Sequence, residues 1–482
     1  MKSIKTNYIY SLLYQFLSIA LPLLTTPYLT RMLGSAGLGT YSLNFTIVQY
    51  FALFILLGLN NYGNRVVAAC RNDKVELSKN FINIYSFQVI CGVVVSIAYI
   101  FYSCFWAADT MIALVFYIYL FSSIIDINWF FFGLEKFQLT VVRNSVIKIA
   151  SMIAVFVFVN SPEDVITYCI IIACTHLVSQ AVLWLYLRKE IQFEKPNKAE
   201  IIKHIKPNCT LFITVIFVSL FKLMDKVMLG SLSSRSELGF YEASEKIVSV
   251  PTSIVVALGS VMLPRTTNLL ATGHKEIAEK YINISCLFSM FISSSICFGI
   301  MGVCKEFVPL YYGEGFEECI NLFIILLPSC IFLAFGNVIR TQYLLPNSMD
   351  KPYIVSAVIG AIMNLVANFL LIPRYGAEGA AVGTLLAEIS VCVYQATSVL
   401  HKIDIKKYVI QSIPFVLSGI FMFIVLHTIE FVGISVQLCI LLKIIIGAIT
   451  YFSSLIVIYF LVRIIVHKKW IDIVELVRLL RH

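Results

Sequence analysis

The chain has 482 residues, of which 59% are hydrophobic and only 13% charged, with a mean hydropathy of +0.89. Soluble domains carry nearer a quarter of their residues as charge, so a soluble globular protein is excluded and an all-α polytopic membrane protein is expected. The net charge of +9 would suit a nucleic-acid partner, but its distribution along the chain argues against one.

Fourteen apolar runs of spanning length follow one another, at about 7–33, 38–60, 81–103, 110–133, 143–160, 164–187, 207–229, 243–264, 281–303, 319–342, 353–373, 377–400, 408–427 and 438–461. The first follows Lys2 and Lys5 as a signal peptide would. It is too long for one, contains Pro22 and Pro27, and lacks a small-x-small cleavage site, so a retained, kinked helix is expected. With the N-terminus inside, 28 Lys and Arg fall in inner segments and four, Arg31, Arg235, Lys305 and Arg374, in outer ones. That bias sets the orientation, with both termini cytoplasmic, and accounts for the net charge without a nucleic acid. The outer loops are short and acidic, at Asp109, Glu163–Asp164, Glu306, Glu314–Glu318 and Glu430. The segment 463–482 alternates apolar and basic residues and is expected to lie on the inner surface as an amphipathic helix.

The charges inside the apolar runs are the sharpest signal. Phe221–Ile247 carries Lys222, Asp225 and Lys226 at i, i+3, i+4, one face of a helix, and then Glu245 and Lys246. At mid-bilayer each charge costs about 2.5–3.5 kcal/mol on insertion scales, so such residues face a bundle interior or a wet cavity unless they snorkel to the surface. This stretch echoes the N-terminal one: PYLTRMLGSAGLGTYSLN (Pro27–Asn44) and MDKVMLGSLSSRSELGFYEAS share a cation, then MLGS, then LG-x-Y. Two copies about 200 residues apart point to two related halves. Asp126, with Trp129 three residues on, could face a lumen, accepting from a sugar hydroxyl or holding a proton, or could bond structurally to a neighbouring helix; Glu388 has the same two readings. Lys148 and Lys443 lie near span ends and are expected to snorkel.

No enzyme motif is found. Gly34–Thr40 (GSAGLGT) lacks the Lys of a phosphate loop and reads as an outer turn, and GxSxG, HExxH and DxD are absent. Thirteen cysteines without CxxC or Cys/His spacing read as small buried side chains rather than metal ligands. Gly376–Gly383 (GAEGAAVG) is spaced for close helix contact.

Taken with IPRYGAEGAAVGT (Ile372–Thr384), DINWFFFGLEKF (Asp126–Phe137), SVMLPRTTNLL (Ser260–Leu270) and the LTRMLGSAGLGTYS turn, the chain resembles the Wzx-like oligosaccharide flippases of the multidrug/oligosaccharidyl-lipid/polysaccharide (MOP) exporter superfamily. The resemblance implies two pseudo-symmetric six-helix bundles around a V-shaped cavity, at 1–190 and 207–402 with a linker at 191–206, and two additional helices within 403–462. It implies a non-enzymatic flippase of a bacterial inner membrane, without cofactor or metal. Its substrate would be an oligosaccharide on undecaprenyl pyrophosphate, supplied and consumed by glycosyltransferases and a polymerase in capsule, O-antigen or exopolysaccharide synthesis. Arg31 matches the family's cations by position in the first turn motif; Lys222, Lys226, Lys246 and Arg340 are assigned from position alone. Asp225, Asp126 and Trp129 complete the expected cavity, and ion coupling through Asp126, Glu245 or Glu388 stays open. The alternatives are a multidrug or cation antiporter of the same superfamily and, from another class, a membrane polysaccharide polymerase.

Overall fold

The computed structural model describes the backbone of residues 4–466 except 193 and 432. Side chains are described from 17 to 461 except at 137, 193, 213, 214, 217, 218, 220–222 and 432. Among the described residues the chain is helical and has no strand, which is what hydrocarbon imposes on a backbone with no water to take its N–H and C=O groups. The helices are α1 (Ile4–Leu56), α2 (Leu59–Cys70), α3 (Lys74–Phe105), α4 (Thr110–Ile124), α5 (Asn128–Gly133), α6 (Phe137–Phe158), α7 (Val165–Glu190), α8 (Lys198–Leu232), α9 (Arg235–Ala271), α10 (Lys275–Tyr312), α11 (Glu318–Ile339), α12 (Asp350–Ser398), α13 (Ile405–Thr428) and α14 (Val436–Val466), with a π-turn at Arg340–Leu344. Eleven helices among the described residues are long and apolar enough to cross a membrane, α1 and α12 counting once each. The expected surface helix at 463–482 lies almost wholly outside the described residues.

Two helices are too long to be single spans. α1, at 53 residues, would measure about 80 Å if straight, against a hydrocarbon core of about 30 Å. It is interrupted at Gly34 (φ 66°, ψ −178°), and α12 at Gly376 (φ 52°, ψ −127°). Both lie at positive φ, open to glycine and strained for any other residue. After its kink α12 folds closely against its own first arm, where a Cβ at Gly383 would stand 2.1 Å from Asn368 Oδ1. In the first arm of α1, Pro22 and Pro27 remove the N–H donors for the Ser18 and Leu23 carbonyls, and threonine side chains bond to the prolines' own carbonyls. Thr26 Oγ1 donates to Pro22 O (2.7 Å) and Thr30 Oγ1 to Pro27 O (3.0 Å).

The chain divides into two compact units between Glu242 and Ala243. α8 packs on α1, α2 and α3, and the first unit includes α8 and the start of α9. In its core α5 supplies Trp129, Phe130 and Phe131, all fully buried, which pack with Phe81, Val67 and Leu187. Gly63 lets Trp129 in, since a Cβ there would stand 2.5 Å from the indole. Nine of the thirteen cysteines are buried and all are free thiols, in keeping with their apolar reading.

The second unit corrects one expectation. Lys443 does not snorkel: it is 2% exposed and its Nζ lies 2.7 Å from Glu306 Oε1. Glu306 lies inside α10 rather than in an outer loop. Span ends read from hydropathy are loose by several residues, enough to move a charge from the interface into the bundle. The pair fixes α14 against α10, and a buried pair broken on one side leaves an uncompensated charge. Glu306→Ala should therefore lower stability by about 3–5 kcal/mol, whereas the double variant Lys443→Met/Glu306→Leu should recover most of it. Thermal unfolding of the purified variants reads both.

Candidate functional site

The hairpin of α8 and α9 builds a charge cluster. α8 ends at Leu232, Ser233 is extended, and α9 starts at Arg235. Asp225 and Lys226, about two turns before the bend, thus face Tyr241 and Glu242, about two turns after it. Tyr241 OH donates to Asp225 Oδ2 (2.9 Å) and Lys226 Nζ lies 2.7 Å from Glu242 Oε2. The same Oε2 accepts from Ser42 Oγ of α1 at 2.7 Å. Asp225 and Glu242 are 5% and 8% exposed, so these groups sit largely out of water and are held by hydrogen bonds and an ion pair. An ammonium has three donors and no fixed plane, so Lys226 can turn from a carboxylate to another oxyanion without leaving its place.

The repeat noticed in the sequence appears here as a contact between its own copies. A Cβ at Gly39 would stand 1.7 Å from Arg235 O, and one at Gly239 would stand 1.9 Å from Ser35 O. Ser42 and Glu242, three residues after each glycine, hydrogen-bond to each other. Equivalent residues meeting reciprocally is the mark of a local two-fold axis. The α8–α9 bend is also tied to the α3–α4 loop, where Arg235 Nη2 lies 3.7 Å from Asp109 Oδ2. Both residues were read as lying on the outer side.

The remaining expected residues fall as follows. Arg31 is an exposed cation on α1 whose Nη1 donates to Pro27 O at 2.8 Å. The Lys222 side chain lies outside the described residues. Asp126 is half-buried at the break between α4 and α5. Trp129 does not stand beside it on an open face: it is fully buried, and its Nε1 donates to Gln88 Oε1 (3.1 Å). In the second unit, Glu245 and Lys246 are half-buried on α9 and Glu388 on α12. Arg340 opens the π-turn and donates from Nη2 to Asn337 Oδ1 (2.6 Å). Sequence reasoning missed Glu242, Tyr241 and Ser42. The signal was available in the repeat, since Tyr41-Ser42 and Tyr241-Glu242 occupy matching places. Lys148, expected at the surface, donates to Ser18 Oγ (3.0 Å).

Kinked membrane-crossing helices with ion pairs buried among them define a multi-pass membrane protein. The family model described as "Polysaccharide biosynthesis protein" matches residues 4–270. The chain belongs to that family, the group to which the Wzx-like resemblance pointed. A Shigella dysenteriae protein named "Putative O-antigen transporter" is 22% identical over 389 residues, 78% of this chain and 95% of its own length. The fold is similar to that of lipid II flippase MurJ in an inward closed conformation, with a TM-score of 0.73 at 14% identity, covering 94% of this chain and 98% of that one. It is also similar to an inward-facing multidrug resistance MATE transporter of the MOP superfamily, with a TM-score of 0.59 at 13% identity, covering 82% and 96%.

Proposed function

We propose that the protein is a flippase that moves an oligosaccharide linked to undecaprenyl pyrophosphate from the inner to the outer leaflet of a bacterial cytoplasmic membrane, for surface polysaccharide assembly. The observation that carries the reading is the Lys226–Glu242 pair with Asp225 and Tyr241, a charge cluster buried where α8 meets α9 and α1. Family membership and the O-antigen transporter relative support the substrate class.

The physical task is to take an anionic headgroup across about 30 Å of hydrocarbon. A cation already resident there, held by Glu242, can exchange that carboxylate for a phosphate oxygen, keeping a charge-assisted bond throughout. Arg31 offers a planar fork that can clasp two oxygens, whereas Lys222, Lys226 and Lys246 act as point charges; Arg340 adds a second fork. The protein would open in alternation to either side of the membrane. With a negative interior, outward movement of negative charge gains about 2.3 kcal/mol per charge per 100 mV, so the membrane potential can drive the step. On this reading the protein makes and breaks no covalent bond, the lipid tail stays in the bilayer, and glycosyltransferases and a polymerase act before and after it.

In cells dependent on this protein, Arg31→Ala and the double variant Lys226→Met/Glu242→Leu should each abolish surface polysaccharide while the protein stays in the membrane at wild-type level. Immunoblotting of membranes and staining of surface glycan read the two quantities. Normal surface glycan in both variants would defeat the proposal. Drug resistance conferred on a sensitive host, with no effect on glycan, would favour the antiporter reading instead.

A further inference from the structure

A second polar cluster lies inside the first unit, away from the α8–α9 bend, on α5, α6 and α7. α4 stops at Ile124 and α5 starts at Asn128, and the break between them is held by neighbouring side chains. The two N–H groups of Gln88 Nε2 are shared among the carbonyls of Ser123 (3.1 Å), Ile124 (3.0 Å) and Asp126 (2.9 Å), and Trp184 Nε1 donates to that of Ile125 (2.9 Å). A break supported at four carbonyls is a built feature, and broken helices in transporters are where substrate groups are met.

From this break runs a continuous chain of hydrogen bonds. Asn128 donates from N and Nδ2 to Asp126 Oδ1 (2.8 and 2.7 Å), and its Nδ2 also reaches Gln180 Oε1 (2.9 Å). Its Oδ1 accepts from Arg143 Nη2 (3.0 Å). Arg143 donates from Nε (3.1 Å) and Nη2 (2.6 Å) to Asn144 Oδ1, which also accepts from Ser179 Oγ (2.9 Å). Arg143, which by sequence counts among the inner-loop cations, is 7% exposed.

The chemistry differs from that of the Lys226 cluster. Asp126 and Arg143 balance in charge, with the Asn128 amide between them, so the group is neutral overall and dense in planar donors and acceptors. The bonds above use one oxygen of Asp126 and the oxygens of Asn144 and Gln180. Asp126 Oδ2 is left to accept and the two NH2 groups to donate. We propose that the Asp126–Asn128–Arg143–Asn144–Gln180 chain is a saccharide-recognition site, which takes the neutral, hydroxyl-rich part of the lipid-linked substrate. The inference rests on the flippase reading above and adds a separate seat for the sugar. A sugar hydroxyl donates and accepts at once and suits such a chain. A phosphate would meet Asp126, and a cation would meet Arg143.

The test uses two probes, undecaprenyl pyrophosphate alone and the same lipid carrying the glycan that accumulates when the protein is depleted from its cells. Binding of each to the purified full-length protein is measured in detergent micelles. The wild type should prefer the glycosylated lipid by roughly tenfold or more, since a site built around hydroxyls discriminates strongly against a ligand lacking them. Asp126→Asn keeps shape and Gln180→Met keeps length; each should erase most of that preference while leaving the affinity for the bare lipid unchanged. A merely structural role would lower both affinities together and would overturn the proposal. Equal wild-type affinity for the two lipids, or variants that retain the preference, would also overturn it and leave the flippase reading standing. If no glycosylated lipid accumulates on depletion, the flippase reading fails and this inference with it.

Discussion

Glu242→Ala is expected to lower the stability of the protein by about 3–5 kcal/mol and to abolish surface polysaccharide. One carboxylate oxygen of Glu242 holds both Lys226 Nζ and Ser42 Oγ at 2.7 Å. Its removal takes the countercharge from an ammonium that is 15% exposed and a hydrogen bond from the Ser42 hydroxyl, which is itself 2% exposed. The desolvation cost of the cation stays while its compensation goes. Glu242→Gln should fall between, because an amide oxygen can still accept from Ser42 but carries no charge. The double variant Lys226→Met/Glu242→Leu separates the two roles of the pair. It should regain most of the lost stability, as apolar replacement of buried pairs commonly does, and should still fail to export glycan, because the cation is gone. Thermal unfolding of purified protein together with surface-glycan staining reads both. Full transport by the double variant would show that this pair is scaffolding alone.

Gly39→Ala and Gly239→Ala should each damage the fold more than replacement of a glycine with open space around it. The added carbons would stand 1.7 and 1.9 Å from backbone oxygens, and a backbone oxygen has no rotamer to turn aside. The helices must move apart by more than 1 Å, well beyond what close-packed interiors absorb without loss. Overpacking typically costs about 1–3 kcal/mol, occasionally more. Because the two glycines serve one reciprocal contact, the double variant should cost less than the sum of the singles. Gly34→Ala provides the comparison: nothing lies within 4 Å of its added carbon, so its penalty is the backbone one alone, about 1–3 kcal/mol. Unfolding temperatures at or above that of Gly34→Ala for both contact variants would contradict the close approach.

The all-helical, membrane-crossing character was legible in the sequence, because apolar length acts locally and needs no knowledge of packing; the fourteen expected spans compare with eleven helices long and apolar enough among the described residues. So was the turn at Gly34, where a glycine run separates two spans. The repeat was legible as a pattern, but that its copies touch at Gly39 and Gly239 is a tertiary fact. The Lys226 environment was half readable: adjacent charges in an apolar run announce a site, whereas the choice of Glu242 as partner depends on how the α8–α9 bend closes. Asp126 was noticed as a carboxylate inside an apolar run with two readings open, but its link to Arg143 runs through Asn128, and an amide gives no signal in an apolar run. Lys443 was misplaced because its depth depends on a helix start that hydropathy blurs. Trp129 was misjudged by proximity to Asp126, since residues three apart share a face only if the helix continues, and α4 breaks between them.

The most direct measurement is protein-dependent movement of the lipid-linked glycan in proteoliposomes. A membrane-impermeant lectin reports how much glycan lies in the outer leaflet. The account predicts that glycan placed in one leaflet equilibrates to the other with wild-type protein and not with Lys226→Ala. Equal lectin access in protein-containing and protein-free vesicles would contradict it.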